Sequence, residues 1–330
     1  MQTYRSMEEI TYQEYLEFAK KHEHVIIENV KLEVGGKRYI ETCNPTNFKP
    51  ETTTVWSFPF RGKWATHYLN TKYRGNWAPQ VVRNLLLKYS NLGDTVLDAF
   101  AGSGTTLIEC KLLERNGIGV DINKDAIMLA WDRLNFIYNQ TIVKTKTILT
   151  WTAEQNKLPE KREEHIKTII RLYHGDVRNL DKIKDNEIDL IATHPPYANI
   201  IPYTNKEKTE EGDLSKVSSI SSFISEMGKV AKEFYRVLKP GRYCAILIGD
   251  TRKHRHYVPI AYKVLQKFLE IGFILKEDII KLQHNMIGTI SWKGKENDFH
   301  LIAHEHLFVF RKPKEKEELE IYKDSIYLKT

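Results

Sequence analysis

Thr95-Val96-Leu97-Asp98-Ala99-Phe100-Ala101-Gly102-Ser103-Gly104-Thr105-Thr106 is the stretch that decides the fold. An extended segment runs into two glycines one residue apart, and a helix-forming run begins at Thr105. Glycine at such a turn lets backbone amides approach a ligand with no Cβ in the way. The spacing differs from the dinucleotide pattern G-x-G-x-x-G, because no further glycine follows at the required place. Further on, Ile188-Asp189-Leu190-Ile191-Ala192 reads as another buried strand, and Thr193-His194-Pro195-Pro196-Tyr197 follows it directly.

Outward from these words, strand and helix patterns alternate. A helix is predicted over 79–89, with Pro79 in its first turn, then a strand at Val96-Leu97 and a helix over 105–114. Gly117 to Asp121 is the next strand, followed by a helix over 124–138. Strands at 172–176 and 188–192 precede a long helix over 222–238, stopped by Lys239-Pro240-Gly241. A strand over 243–248, a helix over 257–270 and a closing antiparallel pair, 273–282 with 306–310, complete the series. The expected fold is α/β: a doubly wound, mostly parallel seven-stranded sheet with a C-terminal antiparallel strand pair. Residues 1–55 read as a small N-terminal segment with a helical Tyr12, Tyr15, Leu16, Phe18 pattern and a short strand at Val25-Ile26-Ile27. Residues 56–312 form the main domain, 139–168 an inserted polar arm, and 313–330 a charged tail.

Composition narrows the class. An apolar fraction of 41% over 330 residues supports a sizeable core, and no run is long and apolar enough to suggest a membrane span. The start lacks the basic-then-apolar order of a signal peptide. Cys43, Cys110 and Cys244 are odd in number and far apart, which suggests neither a disulfide framework nor a metal knuckle, so a cytoplasmic setting is expected. Fifty basic against forty-three acidic residues, net +7, suits a polyanionic partner.

In such sheets ligands bind beyond the carboxyl ends of the strands, near the switch in strand order, and both motifs fall at such ends. Asp121, just past Val120, is placed to accept from ribose hydroxyls, and Asp176 to accept from an adenine amino group. Together the two motifs resemble the S-adenosylmethionine pocket and the catalytic loop of enzymes that methylate exocyclic amino groups of DNA bases. Asp98, Phe100, Gly102, Ser103, Gly104 and Thr105 resemble that family's cofactor motif, and Asp121 and Asp176 match its ribose and adenine acids. Lys72-Tyr73-Arg74-Gly75-Asn76-Trp77-Ala78-Pro79 is similar to the segment beside the methionine moiety, which makes Tyr73 and Asn76 cofactor residues. The pattern departs at Ala99, where proline is usual, and at His194, where Asp, Asn or Ser is usual.

The resemblance implies chemistry at His194, Pro195, Pro196 and Tyr197. An exocyclic amino nitrogen is a poor nucleophile, since its lone pair is delocalised into the ring; acceptors for its N–H groups raise its reactivity. Two prolines fix φ, so the Pro195 carbonyl is held rigidly, and Tyr197 offers a flat surface to a base rotated out of the duplex. Neutral imidazole can serve as second acceptor and imidazolium cannot, so methyl transfer is expected to decline as His194 protonates near ~6.5. None of the three cysteines follows a proline, which argues against C5 methylation.

Arg252, Lys253 and Arg255 form a basic rim on the same side as the catalytic loop, suited to phosphate contacts. A second basic and aromatic stretch runs through Arg61, Trp64, His67, Tyr68, Lys72 and Arg74, and a third spans 284–300 with Trp292. His300, His304 and His306 alternate along a strand with no cysteine or acidic set beside them, so no metal is expected. Base choice must come from small parts: 1–55, 139–168, 198–221 or 284–303. The expected function is a site-specific DNA methyltransferase, with double-stranded DNA and a cognate restriction endonuclease as partners. Thr193-His194-Pro195-Pro196-Tyr197 favours N4 of cytosine over N6 of adenine. An RNA or protein-glutamine methyltransferase, and a non-catalytic nucleic-acid-binding relative, are the alternatives.

Overall fold

The computed structural model describes residues 4–138, 168–196, 212–217, 219–284, 294–295 and 297–326. The N-terminal part supplies β1 (Glu8–Glu9), α1 (Tyr12–Lys21), the hairpin β2 (His24–Ile27) and β3 (Val30–Glu33), β4 (Arg38–Ile40) and β5 (Val55–Ser57). Next come α2 (Pro79–Tyr89), β6 (Thr95–Asp98), α3 (Thr105–Leu112), β7 (Asn116–Asp121), α4 (Lys124–Leu134) and β8 (Phe136–Tyr138). They are followed by β9 (Ile170–His174), β10 (Ile188–Thr193), α5 (Ile220–Val237) and β11 (Leu238–Ile248). The small hairpin β12 (Thr251–Lys253) and β13 (His256–Val258), α6 (Ile260–Ile271), β14 (Ile274–Leu282) and β15 (His304–Arg311) complete the order.

One sheet organises the chain, in the order β1-β9-β7-β6-β10-β11-β15-β14-β5 among the described residues. Strands β9, β7, β6, β10 and β11 run parallel, and β15 returns antiparallel between β11 and β14. Parallel strands are buried on both faces, and the side chains divide accordingly. Leu97, Val120, Ile191 and Ile246 pack with Phe223, Phe234 and Phe268 of α5 and α6. Their neighbours Val96, Leu190, Ala192, Ala245 and Leu247 pack with Val82, Leu85 and Leu86 of α2. On that second face α3 and α4 bury Leu107, Ile108, Ile127 and Leu129 against Leu172. The layers are helix, sheet, helix, as the alternation of elements predicts.

The expectation of seven strands is corrected. The main sheet has nine strands among the described residues, because two short segments of the N-terminal part reach opposite edges: β1 pairs antiparallel with β9, and β5 pairs parallel with β14. Runs of two and three residues are too short to give a periodic signal. The helix expected over 124–138 also ends early, at Leu134. Phe136-Ile137-Tyr138, aromatic and β-branched, instead pairs in parallel with β4, and Lys111 Nζ donates to the carbonyls of Leu134 (2.8 Å) and Phe136 (2.9 Å). The long helix closes at Val237, and strand pairing resumes at Leu238, before the Pro240-Gly241 stop. The inserted arm lies outside the described residues over 139–167, as do 198–211 and 285–293.

Close approach of α3 to the sheet depends on Gly119 in β7. A Cβ there would lie 2.6 Å from both Leu107 Cδ1 and Leu172 Cδ2, and 3.1 Å from Ala101 Cβ. Gly119→Ala therefore overpacks the layer that carries the glycine turn, and is expected to cost ~1–3 kcal/mol in urea-denaturation stability. An unchanged midpoint would show that the helix shifts without cost.

Candidate active site

The strand order reverses between β6 and β10, so the crevice of this sheet opens beyond their carboxyl ends. Asp98, the last residue of β6, is buried there. Its Oδ1 accepts from Thr193 Oγ1 at 2.6 Å and from Phe100 N at 3.2 Å, and its Oδ2 accepts from Thr106 Oγ1. Phe100 N also donates to Thr193 Oγ1 at 3.2 Å. Burial pushes the Asp98 carboxyl up to about 6, against the lowering by these hydrogen bonds. One side chain thus ties together the end of β6, the glycine turn, the first turn of α3 and the start of the His194 loop. Asp98 was expected beside the cofactor; here it is the internal tie that shapes the turn.

The turn itself needs its glycines. Gly102 and Gly104 have φ of 49° and 83°, in the left-handed region. An added Cβ on Gly102 would lie 3.0 Å from Tyr73 Cε1 and OH, so the Tyr73 ring sits directly on the turn. Asp121 Oδ2 accepts from Gly102 N at 2.8 Å, and Oδ1 accepts from Asn123 N at 2.9 Å. Burial pushes Asp121 up to about 6, and the nearby Asp213 and Asp98 add to the rise. Burial first, then Asp121, Glu28, Asp98 and Asp213, holds the Tyr73 hydroxyl well above its usual range. Tyr73, Asp98, Gly102 and Asp121, dispersed in sequence, therefore converge. Asp213 joins them unannounced, because it follows the segment 198–211.

Two hydroxyls of the turn, Ser103 Oγ and Thr105 Oγ1, are buried and have no hydrogen-bond partner among the described residues. Buried hydroxyls are nearly always satisfied, so this pair calls for a ligand. The acidic groups gathered here, Asp98, Asp121, Asp213 and Glu28, also suit a donor-rich, positively charged molecule. Asn76 accepts from Arg61 Nη1 at 2.6 Å and donates to Asn70 O at 2.8 Å. With Trp77 and Thr105 it lines a cleft of about 270 Å³. Asp176 stands differently: it is buried, and its carboxylate accepts from Arg178 Nε at 2.8 Å and from Arg178 Nη2. Gly212 packs onto that ion pair; a Cβ there would lie 2.8 Å from Asp176 Oδ2.

On the other side of the crevice, β10 delivers His194, Pro195 and Pro196; Tyr197 lies outside the described residues. The His194 ring stacks on Trp77, centroids 6.1 Å apart and planes 28° apart. Its Nε2 lies 3.8 Å from Glu305 Oε1, and Glu305 Oε2 accepts from Lys281 Nζ at 2.7 Å. Burial pushes the imidazole down to about 4, more than Glu305 pulls it up; Lys281 and Arg61 push the same way as burial. This corrects the expected titration near the ordinary histidine value: the ring is neutral throughout the physiological range. Glu305 and Lys281 gave no motif signal, because β14 and β15 meet the loop only through the fold, and Trp77, within the segment likened to the methionine side of the pocket, packs on the His194 ring instead.

The rim divides into free and engaged groups. The β12–β13 hairpin turns at His254 and Arg255, both in left-handed conformation. Lys253 and Arg255 are exposed, Arg255 3.3 Å from Asp298. Arg252 is tied down: Nη2 donates to His300 O at 2.7 Å, and the guanidinium lies 4.2 Å from the Phe299 ring centroid. In the second basic stretch, Trp64 and His67 are buried rather than on the rim, where both donate to the buried carboxylate of Glu109, with Arg83 Nε as third partner. Tyr68, Lys72 and Arg74 remain exposed. His306 lies beside Asp278 (3.0 Å) and Asp250 (3.7 Å) and packs on the His304 ring.

With this geometry in view, comparison with known families gives a class. The DNA methylase model for N6 and N4 methyltransferases matches residues 7–132 and 188–329. The chain belongs to this DNA methylase family. A second model, an RMKL-like methyltransferase domain, matches residues 85–247. Type II methyltransferase M.HpaI of Haemophilus parainfluenzae is 38% identical over 112 residues, which are 33% of this chain and 33% of that protein. Type II methyltransferase M.MjaI of Methanocaldococcus jannaschii is 29% identical over 174 residues, 45% of this chain and 57% of that one. The matches thus span between a third and rather more than half of these relatives. Among solved structures, a SAM-dependent methyltransferase from Methanosarcina mazei aligns at TM-score 0.41 and 16% identity, over 70% of this chain and 98% of its own.

The Asp98–Thr193 tie can be broken without changing side-chain shape. Thr193→Val removes the donor to Asp98 and the acceptor for Phe100 N, and is expected to cost ~1–3 kcal/mol in urea denaturation, with Thr193→Ser restoring most of it. Equal stability of all three proteins would mean that the two strand ends hold their places without this bond.

Proposed function

We propose that this chain is an S-adenosylmethionine-dependent DNA methyltransferase acting on the exocyclic amino group of a base turned out of the duplex, with N4 of cytosine the favoured atom. The observation that carries it is the shared anchor. In a chain of the DNA methylase family, Asp98 ties the glycine turn to the strand end that bears His194-Pro195-Pro196. S-adenosylmethionine supplies an electrophilic methyl group on a sulfonium centre. The turn residues Phe100 and Gly102 to Thr105, with Tyr73, Asn76 and Asp121, would hold it. Ser103 and Thr105 offer the unmatched hydroxyls, and Asp121 has acceptor capacity beyond its two amide partners. Asp176, bound to Arg178, takes part only if that ion pair leaves an oxygen for the adenine amino group.

Across the crevice, the Pro195 carbonyl and a neutral His194 accept from the amino group and draw its nitrogen toward tetrahedral geometry. Low dielectric around the buried ring strengthens that interaction, and the same burial keeps the ring unprotonated. Trp77 backs the imidazole, and Tyr197 completes the base platform in this reading. Lys253, Arg255, Lys72 and Arg74 take the phosphates, which positions the duplex without reading sequence. A cognate restriction endonuclease and a cytoplasmic setting belong to the same proposal.

Methyl transfer from labelled S-adenosylmethionine into mixed-sequence duplex DNA, RNA and protein, followed by nucleoside mass spectrometry, tests the assignment. N4-methylcytosine in the duplex is expected; N6-methyladenine would keep the enzyme class and change the base. Label in RNA or protein alone would overturn the DNA assignment.

The titrations give a second test. At saturation with both substrates, kcat should carry no histidine limb between pH 8 and about 5, since His194 gains its proton only near 4; a fall in that window belongs to the Asp98 carboxyl, near 6. KM for S-adenosylmethionine should rise as pH falls through about 6, where the free Asp121 carboxylate becomes protonated and loses acceptor capacity. Asp121→Asn should raise KM and remove that limb. A kcat limb near the ordinary histidine value of about 6.5 that Thr193→Val leaves in place and His194→Asn removes would contradict a buried, neutral His194.

A further inference from the structure

Phe60 is 86% exposed, the most exposed of the large apolar side chains on the described surface. A single exposed apolar ring is ordinary on a protein surface; what sets Phe60 apart is its place in the wall of the cleft that Asn76 and Trp77 also line. Its backbone is fixed from three sides. Gln80 Nε2 donates to Phe60 O at 2.7 Å. The next residue, Arg61, is clamped on Asn76: Nη1 donates to the side-chain Oδ1 and Nη2 to the backbone carbonyl. Gly62 then lies flat on the Trp64 ring, where a Cβ would fall 1.6 Å from a ring carbon. The segment is therefore a stiff bracket that holds one aromatic ring outward.

The bracket stands beside the site. Phe60 lines the same cleft as Asn76 and Trp77, and Trp77 stacks on His194. Trp77 is thus common to the cleft that Phe60 lines and to the ring packing of His194. Exposed Lys63 sits on the same bracket, so the surface offers a basic charge beside an apolar ring. Stacked bases between phosphates present the complementary pattern, an apolar interior under an anionic edge.

We propose that Phe60 is the wedge that enters the base stack and fills the gap left when the target base is extruded. Extrusion breaks pairing and stacking, and a rigid aromatic ring restores part of the stacking without ordering a mobile side chain. The bracket supplies that rigidity, and Lys63 holds the flanking phosphate. This rests on the DNA methyltransferase reading above and adds the residue that drives base extrusion.

The test uses the full chain and a synthetic duplex carrying a methylation site mapped by sequencing DNA that the wild-type protein has methylated. Two versions are compared, one with the target base opposite its normal partner and one with it opposite an abasic site, where extrusion costs less. Phe60→Ala should lower transfer into the paired duplex by about tenfold or more, as expected when part of the extrusion cost is no longer offset. It should lower transfer into the abasic duplex by less than about threefold, and Phe60→Trp should keep most activity on both. A fluorescent base analogue at the target position should report less extrusion with Phe60→Ala on the paired duplex. Equal loss on both duplexes, or no loss on either, overturns the wedge. Failure of the wild-type protein to methylate any duplex would instead overturn the underlying reading, so the two failures are distinct.

Discussion

The Asp98 carboxylate, buried at the end of β6, is the constraint on which the site depends. Parallel pairing brings β6 and β10 side by side, but pairing alone leaves the conformation of their loops open. Asp98 closes that freedom by accepting from Thr193, Thr106 and Phe100, one group from each segment that must meet. Burying a carboxylate is costly unless its oxygens are satisfied, so the glycine turn and the His194 loop are selected together. A loop that drifted would leave a desolvated acid unmatched. The same economy appears at Asp121, whose oxygens are held by Gly102 N and Asn123 N and which thereby pins the turn from its other side.

In the proposed reading, desolvation lets histidine stand where an acid, amide or hydroxyl is usual. An exposed imidazole would be partly protonated near neutrality and would lose its acceptor. Burial against Trp77 removes that difficulty. A negative charge is nevertheless supplied nearby by Glu305, from β15, with Lys281 alongside to balance it. The site's electrostatics are therefore assembled from elements distant in sequence.

Much of the arrangement was legible in the chain because its signals are local. A glycine pair after a strand, a diproline after another, and acids at strand ends report backbone geometry directly, and the doubly wound class follows from their alternation with helices. What could not be read was set by long-range contact. Trp64 and His67 look like rim residues in a basic stretch, yet the buried Glu109 draws both inward. Arg252 looks like a phosphate ligand, yet it serves the backbone of His300 and the Phe299 ring. Asp176 matches a cofactor acid, and only the fold reveals that Arg178 already holds it. Each case turns on a partner that no spacing rule names.

The two short N-terminal strands carry a consequence for how the molecule is made. Glu8 meets His174 and Val55 meets Ile280, so both borders of the sheet are finished by residues synthesised long before their partners exist. Once docked they act as selvedges, covering β9 and β14 against pairing with other chains. Both borders of the sheet are thus formed by segments far in sequence from the strands they pair with.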